Sequence, residues 1–182
     1  NSLAAGGSWE CSNRTREPAS SIKSIALSGK NLSAIYWSAN LAAASDIAID
    51  SNGNLYILDS TKNVVRYVQS STNVPTGFTA GYIYKYAGTL GTYGFAGDGG
   101  LAINAKLSSL SGISVDSNNN LYIGDFGNNA IRKIDYSTKN ISTFYQNIAG
   151  SVRPTLIAAS GSNIYFFDTT DTKFYYKDYR LT

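Results

Sequence analysis

One phrase recurs along this chain, and its recurrence constrains the fold more than any other feature. Asp46–Asp59 reads DIAIDSNGNLYILD, Gly112–Asp125 reads GISVDSNNNLYIGD, and Thr155–Asp168 reads TLIAASGSNIYFFD, a looser third copy. Tyr56, Tyr122 and Tyr165 then fall at equivalent places, with spacings of 66 and 43 residues. Self-similarity at such spacings means a repeat architecture, in which each unit buries its apolar faces against its neighbours.

Each copy has the same physical grammar. A short apolar strand is followed by a turn of Asp, Ser, Asn and Gly, then by Leu/Ile-Tyr-Ile/Phe and a closing Asp. That pattern predicts a hairpin whose turn residues tolerate left-handed backbone. Third strands are expected at Ser60–Val68 and Phe126–Asp135, and fourth strands at Ala80–Ala87 and Asn140–Tyr145. Near the N-terminus, Ile22–Ile25 and Lys30–Ser33 match Ile131–Ile134 and Lys139–Ser142 at a constant offset of 109, which also carries Ile47 onto Leu156. Four-stranded units at a 43-residue spacing, with one 23-residue expansion, are the signature of propeller blades.

Gly112–Ile134 resembles the NHL repeat, with its apolar strand ending in Asp, its Asn-rich turn, Leu-Tyr-Ile and Ile-Arg-Lys. The expansion Tyr93–Leu107, with Gly97-Asp98-Gly99-Gly100 at its centre, resembles the loop that precedes such strands in secreted bacterial and teneurin-like NHL propellers. The resemblance runs from about Ile22 to Asp178. The third copy departs from it, with Ala159 aligned to the strand-ending Asp and no Arg-Lys pair, and the Asn-His-Leu triplet is absent. The expected fold is all-β, a partial NHL-type β-propeller of four-stranded blades in an incomplete ring. Residues 1–21 are expected to be irregular, 22–44 a half blade, 45–88 and 111–149 full blades joined by a Gly-rich loop at 89–110, and 150–182 a three-stranded last blade.

Composition narrows the function. The 182 residues contain no histidine, which removes every mechanism that needs imidazole, and Cys11 is the sole cysteine, so no internal disulfide and no cysteine zinc cluster can form. Cys11 is either a buried or capped thiol, or one half of a disulfide to another molecule or to a further part of a longer polypeptide. Fifteen basic and twelve acidic residues are dispersed, with no basic run, which argues against nucleic acid. No apolar run approaches the roughly 20 residues of a membrane span. The start lacks an initiator Met and a signal-peptide pattern, as expected of a processed product or fragment. Sequons at Asn13, Asn31 and Asn140 are glycosylation candidates and point to an extracellular or cell-surface setting.

Residues repeated in every blade are read as structural, because a catalytic group is needed once. Asp59, Asp125 and Asp168 are therefore expected to cap turns, as are Asp50 and Asp116, and Arg66 and Arg132 to support packing or an Asp pair. Gly97, Asp98, Gly99 and Gly100 form the one motif outside the repeat; with a single carboxylate it suits an ordered loop or contact surface better than a calcium site. Tyr175, Tyr176 and Tyr179, with Phe174, are the other contact candidates, one face of the strand packing inward while Tyr176 or its neighbours stay exposed. No catalytic residue, metal or cofactor is expected. The leading expectation is a non-enzymatic extracellular structural or adhesive module making protein or glycan contacts, completed by further blades of a longer chain or by copies of itself through head-to-tail strand complementation, in a ring or filament. Competing readings are a fragment of a metal-dependent propeller hydrolase or lyase, and an RNA-binding propeller.

Overall fold

The computed structural model describes residues 41–70, 83–146, 153–161, 163–170 and 172–178. The expected half blade at 22–44 lies almost wholly outside them, as do Cys11, Asn13, Asn31 and Tyr179.

The described residues form three antiparallel sheets in chain order. Blade I is β1 (Ala44–Ile49), β2 (Leu55–Asp59), β3 (Val64–Val68) and β4 (Ile83–Ala87). Blade II is β5 (Leu110–Val115), β6 (Leu121–Asp125), β7 (Ala130–Ile134) and β8 (Ile141–Gln146). Blade III has three strands, β9 (Pro154–Ser160), β10 (Asn163–Asp168) and β11 (Lys173–Asp178). The all-β partial propeller expected from the repeat is the observed fold.

The turns follow from residues that accept left-handed backbone. Gly53 has φ 77° and its counterpart Asn119 has φ 65°, which closes the first hairpin in each full blade. Third strands start later than the sequence suggests: Phe126–Asn128 forms a 3-10 turn, and Asn129 at φ 53° and Asn63 at φ 51° delay β7 and β3.

Blade III carries a register correction. Ile113 pairs Ile123 and Ser114 pairs Tyr122, whereas in blade III Ile157 pairs Phe166 and Ala158 pairs Tyr165. Its hairpin is one residue shorter, so Ile157, not Leu156, is the counterpart of Ile47 and Ile113. Ser160, not Ala159, stands where the other blades have Asp50 and Asp116. The one-residue shift also moves Leu156 to the opposite face of the sheet.

Each blade packs one face on the next. Tyr56, Leu58, Val65 and Tyr67 of blade I meet Ile113, Leu121, Ile123, Ile134 and Ile141 of blade II in one buried cluster. Tyr122, Ile131 and Phe144 on blade II's other face meet Ile164 and Phe166 of blade III. Inner strands are also tied across blades: the Asp46 carboxylate accepts the Ile113 N–H at 2.9 Å, and the Ser114 hydroxyl accepts the Ala159 N–H at 2.9 Å.

Candidate functional site

Two features rise above the repeating scaffold: the loop between blades I and II, and the outward face of blade III.

The loop begins after β4 and runs back along the outer edge of blade II. The Gly99 N–H donates to the Ile141 carbonyl at 2.8 Å, the Ile141 N–H to the Gly100 carbonyl at 2.9 Å, and the Ala102 N–H to the Lys139 carbonyl at 2.9 Å. The loop thereby covers part of an edge strand that would otherwise present unpaired backbone. Gly97 sits at φ 106°, and a Cβ there would lie 2.8 Å from the Ala105 Cα, so this approach requires glycine.

Asp98 fastens the loop. Its Oδ1 accepts from the Arg132 guanidinium, and its Oδ2 accepts the Thr143 N–H at 3.1 Å and the Thr143 hydroxyl at 2.6 Å. Arg132 is completely buried and donates its other arm to Asp125 Oδ2 at 3.3 Å, with the Phe95 ring 4.7 Å from its guanidinium carbon. Two carboxylates and an aromatic face offset most of the cost of burying this cation, whose Nε alone has no hydrogen-bond partner. Burial pushes the Asp98 carboxyl up, but the Thr143 hydroxyl and the Arg132 charge outweigh it and hold it below the ordinary range. For Asp125 burial prevails and raises the carboxyl, against the Asn128 amide, the Ser108 N–H and Arg132.

The repeated aspartates do more than cap turns. Asp50 Oδ1 accepts the N–H groups of Asn52 and Asn54 at 2.9 Å, while Oδ2 accepts the Asn54 amide at 2.8 Å and the Tyr56 hydroxyl at 3.2 Å. Asp116 repeats this with Asn118, Asn120 and Tyr122. Asp59, Asp125 and Asp168 each accept an N–H from the chain entering their own blade, at Ala43, Ser108 and Arg153. They tie the second strand to the blade's start, a long-range role that the local sequence pattern does not reveal.

An open trough of about 430 Å³ lies where the three blades converge, lined by Ser60, Thr61, Ser109, Ser111, Phe126 and Thr155 among others. Ser111 spends its hydroxyl on the Pro154 carbonyl at 2.5 Å and Thr155 spends its own on the Phe167 carbonyl at 3.3 Å. No general base stands among the residues lining the trough, and among the described residues no three His, Cys, Asp or Glu side chains converge as metal ligands.

The outward face of blade III is aromatic and open. Phe174 is 75% exposed, Tyr176 68%, Leu156 63% and Tyr165 41%. Tyr175, on the opposite side of β11, stacks on Phe166 with centroids 5.6 Å apart. Asn140 is half-buried at the start of β8, beside Lys139 at φ 61°. Of the two sequence-predicted contact regions, the structure gives Asp98 internal partners and leaves Tyr176 in solvent. Phe174, expected beside these tyrosines, is likewise in solvent, whereas the exposure of Leu156 was missed because it depends on what packs on the sheet.

Comparison with known proteins adds the family. The Teneurin NHL domain family model matches residues 17–135. Human Teneurin-4 is 31% identical over 149 residues, 79% of this chain and 5% of that protein, and human Teneurin-1 is 30% identical over 111 residues, 56% of this chain and 4% of that protein. The chain thus spans about one-twentieth of the length of these relatives. A solved auxiliary nutrient binding protein from Bacteroides thetaiotaomicron shares the fold, with a TM-score of 0.55 at 14% identity over 71% of this chain and 36% of that one. With repeat, blades and clasp loop all in place, this chain belongs to the Teneurin NHL domain family.

Proposed function

We propose that the chain is a non-enzymatic extracellular structural or adhesive module, whose propeller surface makes protein or glycan contacts and whose end faces join copies head to tail by strand complementation. The observation that carries this reading is the open face of blade III. Tyr165, Phe174 and Tyr176 occupy the register positions of Tyr56, Val65 and Tyr67, which in blade I are buried against blade II. An aromatic sheet face built for a neighbouring blade favours association with one, since its burial removes apolar surface from water at roughly 25 cal/mol per Å². On blade I, Ile47 and Ile49 are 54% and 48% exposed on the side facing away from blade II, and they supply an aliphatic counterpart. Head-to-tail pairing of the two faces gives a ring or a filament according to the rotation between copies. The dispersed charge and the absence of histidine support binding over catalysis.

The test is light scattering and intact mass on untreated material over a range of concentrations. Mass rising with concentration, together with sugar on Asn140, Asn13 or Asn31, is the expected result. An unglycosylated chain that stays at 19.5 kDa throughout contradicts the reading.

A further inference from the structure

Blade I reproduces the Arg132 anchor with one group missing. Arg66 follows the same register break in β3 that precedes Arg132 in β7. Its cross-strand partner on β4 is Lys85, where Arg132 faces Thr143. In blade II the place beside this pair is filled by Asp98, held by the guanidinium, the Thr143 N–H and the Thr143 hydroxyl. In blade I, Arg66 reaches, among the described residues, only Asp59 Oδ2 at 4.0 Å, too far for a hydrogen bond, although its side chain is just 11% exposed. Its Nε is buried with no hydrogen-bond partner, as is that of Arg132, so the two sites differ at the ends of the guanidinium, which carboxylates meet on Arg132 and no described carboxylate meets on Arg66. Lys85 is half-buried and forms no ion pair with any described residue.

Pro18–Ser45, which leads into blade I, contains neither Asp nor Glu. Two cations share one sheet face on adjacent strands with only the Asp59 carboxylate, 4.0 Å from Arg66, beside them, which leaves one positive charge for an added anion to offset. Blade II also shows what kind of anion fits. A glycine-rich turn pairs its backbone with Ile141 and lowers a carboxylate onto Arg132 and Thr143. Ile83–Lys85 holds the same register positions on β4 as Ile141–Thr143 on β8.

We propose that Arg66 and Lys85 form a binding site for a carboxylate carried on a glycine-rich acidic turn of a partner protein, which docks on blade I as Gly97–Gly100 docks on blade II. The site deepens the protein-contact part of the function above but does not depend on head-to-tail pairing.

A labelled synthetic peptide with the sequence of Tyr93–Ala102, titrated into the full chain and read by fluorescence anisotropy, tests this independently of self-association. Saturable binding is expected, weakened about tenfold or more by Asp98→Asn in the peptide, or by Lys85→Gln or Arg66→Met in the chain, the last checked for native circular dichroism. A peptide that keeps the Asp but has its glycines replaced by alanine is expected to bind at least about tenfold more weakly. Absence of binding, equal binding of the Asp and Asn peptides, or binding indifferent to Lys85→Gln overturns the proposal. Equal binding of the alanine peptide overturns it as well, by reducing the site to one for any free carboxylate.

Discussion

Tyr122 and Tyr165 stand at the same place in the repeat and meet opposite fates. Tyr122 is fully buried, donates its hydroxyl to Asp116 at 3.2 Å and packs edge-on against Phe144 with centroids 5.1 Å apart. Tyr165 is 41% exposed and takes a 3.3 Å contact from the Asn163 amide in solvent. The two strands share Leu/Ile-Tyr-Ile/Phe and differ little in propensity. What separates them is the aspartate node at the turn and the presence of a following blade. Burial in this fold is conferred by neighbours, so the last described blade shows an interior face in the open.

The largest effect expected from that contrast is on stability. Tyr122→Ala should cost about 3–5 kcal/mol, the range for losing a buried aromatic, while Tyr165→Ala should cost under about 1 kcal/mol at dilutions where the chain is monomeric. Paired urea titrations check it, and equal losses would break the comparison.

A reciprocal exchange at the turns probes the node itself. Asp116→Ala leaves the Asn120 amide, the Tyr122 hydroxyl and two backbone N–H groups without their acceptor and should cost about 2–3 kcal/mol. Ser160→Asp places a carboxylate near Asn163 and Tyr165 and should raise stability by about 0.5–1 kcal/mol. Loss of stability in the second variant would mean that the shorter hairpin cannot form the node.

The smallest effect concerns the clasp that blade II has and blade III lacks. The Asp98 carboxyl is held below its ordinary value by Thr143 and Arg132 against burial, so its contribution to folding is fully present above the unfolded carboxylate pKa. That contribution is lost as pH falls through the lower, folded value. The stability difference between wild type and Asp98→Asn should therefore be constant from neutral pH down to the ordinary carboxylate range and shrink below it. A difference that instead grows on acidification would contradict the assigned direction.

Much of this was legible in the sequence because the repeat encodes it locally. The Asp-Ser-Asn-Gly/Asn turns, the alternation around Tyr56 and Tyr122 and the strand order all follow from residues a few positions apart. The register of blade III was misread by one residue, since aligning Thr155–Asp168 without a gap hid a hairpin shorter by one and assigned Ala159 the place of Ser160. The Asp98–Arg132–Asp125 anchor was only half visible. Packing or an Asp pair was expected of Arg132, but Asp98 lies 34 residues before it and meets it only because the Gly-rich loop folds back over β8. Exposure of Leu156 was not legible at all, because alternation along a strand says which side chains share a face and not whether that face is covered.

The most direct test of the central claim is hydrogen–deuterium exchange of the full chain at low and high concentration. The account predicts that protection of β10 and β11 around Tyr165–Tyr176 and of β1 around Ile47–Ile49 rises together as concentration increases, while β5–β8 stays constant. Association that leaves β10, β11 and β1 unchanged, or protection confined to the 89–107 loop, would contradict it.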